Sequence, residues 1–240
     1  MEKIINKMKF KGIIRKIKNI HLKNTLLAKG YVAEEINKDY DKAIEYHRRA
    51  LEVDPDDDAE RYNLGILLHK LNRYEAAEKE YRKSMDIDPD RGNVHLNLGH
   101  VLIVMNKIEE AEKELRESAR INPNEPKVHF NLGSLSVKLN RFEDAEKEYQ
   151  KAIELDPEYW APHFLLSKLL MEKNKRDALK HFAKSYDLIK KELSKEEDDA
   201  DRAYLSECLG VCCINLGKKD ESKDHFKKSN RIREQINEKI

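Results

Sequence analysis

The chain has 240 residues and a formal net charge of +1, with 47 Lys/Arg against 46 Asp/Glu. Charged residues make up 39% and aromatic ones 7%, which suits exposed helical hairpins over a thin core and excludes a polycation that would coat nucleic acid along its whole length. No apolar run is long enough to span a bilayer and no uninterrupted apolar segment accompanies the N-terminal lysines, so neither a membrane span nor a secretory signal is expected, and the expected location is cytoplasmic.

Residues 1–24 differ from the rest: they hold eight Lys/Arg and a single acid, Glu2. Phe10, Ile13, Ile14, Ile17 and Ile20 fall on one helical face, with Lys9, Lys11, Arg15, Lys16 and Lys18 mostly facing away. Three roles are open to such a helix. It could cap the first apolar surface of the repeats beyond residue 24, lie on an anionic membrane, or touch nucleic-acid phosphates.

From residue 25 the chain becomes periodic. Leu64-Gly65, Leu98-Gly99 and Leu132-Gly133 stand 34 residues apart, as do Ala77, Ala111 and Ala145, and also Tyr81, Leu115 and Tyr149. Pro55, Pro89, Pro123 and Pro157 keep the same period, each after Asp or Asn. Within one unit the apolar spacing predicts a helix from Asp58 to Asn72, a turn at Asn72-Arg73, and a second helix from Tyr74 to Ile87 that Asp88-Pro89 stops. One such hairpin cannot bury its apolar side alone, so the stacked array is the folding unit. Residues 25–57 read as a first, degenerate repeat, with Gly30 one place out of register and Glu34 where a large apolar residue is expected. A fifth unit begins at Trp160, with one residue deleted in its turn and Ser167 in place of glycine; a sixth spans residues 203–233. Between these two, residues 193–202 form an acidic insertion, with Glu196, Glu197, Asp198, Asp199 and Asp201. It lacks the glycine and alternating spacing of a calcium loop and reads as a solvated extension.

Leu-Gly, a large residue, Ala, an aromatic and Pro at period 34 resemble the tetratricopeptide repeat family, most strongly over residues 58–159. The family's usual tryptophan is absent, and Arg61, His95 and His129 stand in its place. The resemblance implies an all-α, right-handed superhelical solenoid of antiparallel helix pairs, about six repeats over residues 25–240. It also implies a non-catalytic scaffold for protein–protein interaction. A peptide segment of a partner protein would lie in the concave groove that the first helices line. Asn63, Asn97 and Asn131 resemble the asparagine ladder that grips a peptide backbone in some members, and an amide has the donors and acceptor for it. Tyr62, Ile66, Leu96, His100, Lys127, Phe130 and Ser134 share that face and would read the side chains. Lys127 and Asn97 fit part of the carboxylate clamp of some relatives, but the full clamp is absent.

No motif with a catalytic mechanism appears: there is no glycine-rich phosphate loop, serine elbow or His-Glu-x-x-His. No cofactor, small-molecule substrate or metal site is expected. His95, His129 and His163 also recur at 34 residues, but helix axes about 8–10 Å apart keep equivalent imidazoles from sharing an ion. Cys208 and Cys212 share a helical face, and with Cys213 they read as small buried residues and offer no disulfide framework. The alternative to a groove-binding scaffold is an adaptor that reaches a membrane or nucleic acid through residues 1–24.

Overall fold

The computed structural model describes residues 2–196 and 198–237, with side chains from residue 14 onward. The side chains of Phe10 and Ile13, like Glu197 and the last three residues, lie outside that description. The described chain is all-helical, as the period requires, and divides between Asn122 and Pro123 into two compact units.

The first unit holds α1 (Glu2–Tyr31), a π-turn (Val32–Ile36), α2 (Tyr40–Val53), α3 (Asp58–Lys70), α4 (Tyr74–Ile87), α5 (Gly92–Val104) and α6 (Ile108–Ile121). Helices pack pairwise, α1 on α2, α3 on α4 and α5 on α6, with α2 on α3 and α4 on α5 between pairs. Each pair closes where glycine meets a large side chain. A Cβ on Gly65 would sit 2.5 Å from Tyr81 Cε1, and one on Gly99 would sit 2.7 Å from Leu115 Cδ2. Ala77 and Ala111 are wholly buried at the same crossings, with Leu64, Leu68, Leu98 and Leu102 beside them.

The degenerate first repeat has a local cause. Gly30 lies thirteen residues before Ala43, whereas Gly65 lies twelve before Ala77. The π-turn absorbs the extra residue, as such turns do inside helices. The closing hydrogen bond records it. Asp39 N–H reaches back six residues to Ala33 C=O, while Arg73 and Lys107 reach back five, to Leu68 and Leu102. Gly30 is thus restored to contact with the second helix, against Tyr46 and His47. α1 runs unbroken through residue 24. Its docked part begins at Lys23, whose ammonium bonds Asp54 at 2.7 Å and Asp57 at 2.8 Å.

The second unit holds α7 (Pro126–Lys138), α8 (Phe142–Leu155), α9 (Trp160–Lys173), α10 (Lys175–Leu193), α11 (Asp199–Asn215) and α12 (Lys219–Asn237). Gly133 meets Tyr149 and Gly210 meets Phe226 as in the first unit. Ser167 occupies the glycine place of the fifth pair, wholly buried, with its hydroxyl donating to Phe164 C=O at 2.6 Å. The shortened turn is a single residue, Asn174, which ends α9 and caps α10 by accepting from Asp177 N–H. The acidic insertion is only partly a loop. Asp198 caps α11, and Asp199 and Asp201 lie in its first turn, where the helix dipole favours negative charge. Cys208, Cys212 and Cys213 are buried in the core among Phe182, Ile189 and Leu209.

Candidate functional site

The residues expected to line a groove differ in exposure. In the first unit Asn63 and Ile66 are exposed on α3, and Tyr62 is half-buried beside them. Asn97 already has a partner, since its amide donates to Tyr62 Oη at 3.0 Å and ties α5 to α3. His100 pairs with His69 on α3, Nδ1 to Nε2 at 3.1 Å. Burial, with His100 second, pushes His69 down to about 4, and burial also lowers His100, so the pair is neutral at physiological pH. Leu96 is buried to 6% exposure and serves the core. In the second unit Lys127 is exposed and Phe130 is half-buried between the rings of Tyr149 and Tyr159. Ser134 donates to Phe130 C=O at 3.0 Å, and Asn131 is buried to 7% exposure. Of the three ladder asparagines only Asn63 offers a free, exposed amide face.

Asn63 and Ile66 open onto a pocket of about 370 Å³ that the periodic pattern does not assemble. Its other walls are Leu27 and Tyr31 of α1, Glu34 of the π-turn, His47 of α2, and Glu60 and Leu67 of α3. His47 Nδ1 forms a short hydrogen bond with Glu60 Oε1, and both side chains are buried. His47 Nε2 is buried without a hydrogen-bond partner. Among the described residues no lysine or arginine lines the pocket, while two carboxylates do.

The repeat register shows how unusual this is. His47 occupies the column that holds Tyr81, Leu115 and Tyr149 elsewhere. Glu60 occupies the column of Val94 and Val128, both wholly buried. Two apolar core places have been exchanged for a hydrogen-bonded polar pair, next to an inserted π-turn that turns Glu34 toward the same space. Burying such groups costs free energy unless they are satisfied, and local breaches of a repeating pattern concentrate at functional sites. The signal was in the sequence, as a glutamate in a valine column.

The column that lacks tryptophan has a structural role. His95 donates through Nε2 to Pro89 C=O at 2.9 Å and meets Glu114 through Nδ1 at 2.7 Å. His129 does the same with Pro123 at 2.9 Å and Glu148 at 2.8 Å. Arg61 spans Pro55 C=O and Glu80 likewise. Each clamp fastens the turn before a repeat to that repeat's second helix. Hydrogen bonding to Glu114 and Glu148 raises the two histidines above the usual imidazole range. In the fifth repeat His181 replaces the glutamate, and His163 meets it Nδ1 to Nδ1 at 3.0 Å.

Among the described residues no helix is long and apolar enough to cross a membrane. None of the curated proteins compared with the chain matches it. Its fold is similar to that of solved structures at low identity. MamA from Desulfovibrio magneticus RS-1 (residues 41 to the end) is 21% identical with a TM-score of 0.63, covering 71% of this chain and 96% of that one. A structure described as a functional characterization of PilF from Pseudomonas aeruginosa is 20% identical with a TM-score of 0.64, covering 87% and 90%. YrrB, described as a TPR protein with an unusual peptide-binding site, is 22% identical with a TM-score of 0.53, covering 79% and 93%. Tetratricopeptide repeat models match residues 23–90, 79–135 and 126–159, in accord with the helix pairs, the glycine crossings and the proline-ended turns. The chain belongs to the tetratricopeptide repeat family.

Proposed function

We propose that the protein is a non-catalytic interaction scaffold whose first unit receives a peptide segment of a partner protein at the pocket beside Asn63 and Ile66. The observation that carries this reading is the polar pair His47–Glu60 in core columns, at a pocket with two carboxylates and, among the described residues, no lysine or arginine. A lysine or arginine of the partner suits it. The aliphatic stem would lie on Leu27, Ile66 and Leu67, with the cation near Glu34 and Glu60. The Asn63 amide would hold the peptide backbone alongside. Leu96 and Asn131 are buried, each in the core of its own unit, and Lys127, Phe130 and Ser134 offer a second contact face in theirs. The test is selection from a displayed random-peptide library on the full chain, followed by fluorescence anisotropy of the winners. Selected peptides should share a basic residue and lose about tenfold or more in affinity against Asn63→Ala, Ile66→Ser or Glu34→Gln. Unchanged affinity in all three, with unchanged thermal melts, would remove this site.

A second reading rests on α1. Ile14, Ile17, Ile20 and Leu22 are exposed at 38%, 60%, 58% and 47%, on a helix that also carries Arg15, Lys16 and Lys18. A basic helix with exposed apolar residues suits an anionic lipid surface. Cosedimentation with phosphatidylserine vesicles at low salt, lost on Ile14, Ile17 and Ile20→Ser, supports it. Equal sedimentation of the wild-type and substituted chains rejects it.

A further inference from the structure

We propose that Cys213, Glu221 and His225 form a binding site for a borderline transition-metal dication such as zinc, linking α11 to α12. Cys213 lies in the last turns of α11 and is wholly buried. Glu221 and His225 are four residues apart on α12 and so share one face of that helix. The thiol sulfur, a carboxylate oxygen and a ring nitrogen all lie within 4.8 Å of one another. Zinc bonds these donor types at about 2.0–2.3 Å, which sets donors in a tetrahedron roughly 3.3–3.8 Å apart. Closing the widest pair therefore requires an adjustment of at most about 1–1.5 Å.

The donor set selects the ion. A thiolate with an imidazole and one carboxylate suits zinc or cobalt, whereas magnesium and calcium prefer oxygen alone. Glu221 is already oriented, since the Tyr186 hydroxyl of α10 donates to its Oε2 at 2.8 Å, the kind of outer contact that steadies metal ligands. Burial lowers His225, so its ring is neutral and has a lone pair to give. Burial and the Glu221 charge raise Cys213, so binding must release the thiol proton to solvent. Nearby lysines oppose the ion: Lys190 acts on both Glu221 and His225, and Lys228 acts on His225. Lys218 Nζ stands 3.7 Å from Glu221 Oε2 and 4.1 Å above the Tyr186 ring, and its side chain is 40% exposed, so it can swing into water. The site has an evident use, because α12 packs chiefly on α11. A metal bridging the two helices would fasten α12 to the neighbour that holds most of it.

The experiment is a cobalt(II) titration of the reduced full chain, read by the thiolate-to-metal charge-transfer band in the near ultraviolet, with zinc competition. One equivalent should bind with that band and be displaced by zinc. Zinc should also raise the thermal midpoint of the wild-type protein. The band should vanish in Cys213→Ser and persist in Cys208→Ser, which separates this thiol from its buried neighbour. His225→Ala, on a partly exposed ring, should weaken binding by about tenfold or more, and Lys218→Met should tighten it. Absence of the band, its persistence in Cys213→Ser, or unchanged affinity in His225→Ala overturns the assignment.

Discussion

Replacing Gly99 by alanine tests the packing rule that recurs at the glycine crossings of the helix pairs. The new Cβ would lie 2.7 Å from both Cδ2 and Cγ of Leu115. Leu115 is wholly buried, so it cannot turn into solvent. Overpacking of this kind costs about 1–3 kcal/mol. Alanine returns about 1 kcal/mol of helix propensity. The net expectation is a loss of up to about 2 kcal/mol. Leu115→Ala alone should cost about 2–5 kcal/mol through lost contacts and a cavity. In that background the obstructing atoms are gone, so Gly99→Ala should become neutral or stabilising by up to about 1 kcal/mol. Urea unfolding followed by circular dichroism gives all four corners of the cycle, provided the m-value holds. If Gly99→Ala has the same sign and size in both backgrounds, the close approach is not what excludes a side chain there.

The turns and the histidines carry further expectations. Lys38 has a left-handed backbone, φ 52°, at the place where Asn72, Asn106 and Asn140 adopt it, so Lys38→Gly should stabilise by about 1 kcal/mol in urea melts. Glu114→Gln should lower the His95 imidazole pKa seen by NMR, because Glu114 is the largest cause of its rise. The His95–Glu114 contribution should be fully present below the unfolded imidazole pKa of about 6.5 and be lost as pH rises through the higher folded value. His69 has the opposite sign. The unfolded chain takes up protons that the folded, neutral pair refuses, so stability should fall as pH drops from about 6.5 toward about 4, less steeply in His69→Gln.

Much of the fold was legible because one residue type recurs wherever one contact recurs. Glycine at residues 65, 99, 133 and 210 marks four of the helix crossings, and proline after Asp or Asn marks the turns. These two signals locate the helix bounds. The letters do not show how a missing contact is replaced. Gly30 looks misplaced until a π-turn absorbs the extra residue. The histidines at residues 95 and 129 look like packing residues until Glu114 and Glu148, nineteen places on, prove to hold them. Asn97 looks free until Tyr62 Oη, thirty-five residues earlier, accepts its amide proton. Hydrogen bonds between helices depend on side-chain direction, which a periodic pattern does not encode. The pocket is half legible, since Glu60 in a valine column is visible in the sequence while its meeting with His47 and Glu34 needs the fold.

The most direct test of the scaffold reading is an amide-resolved NMR titration of the full chain with the tightest selected peptide. Saturable shifts are expected at Asn63, Ile66 and residues 31–36, with movement of the His47 ring resonances as its buried Nε2 gains a neighbour. Shifts confined to residues 14–22 or to the second unit, with Asn63, Ile66 and His47 unmoved at saturation, would contradict it.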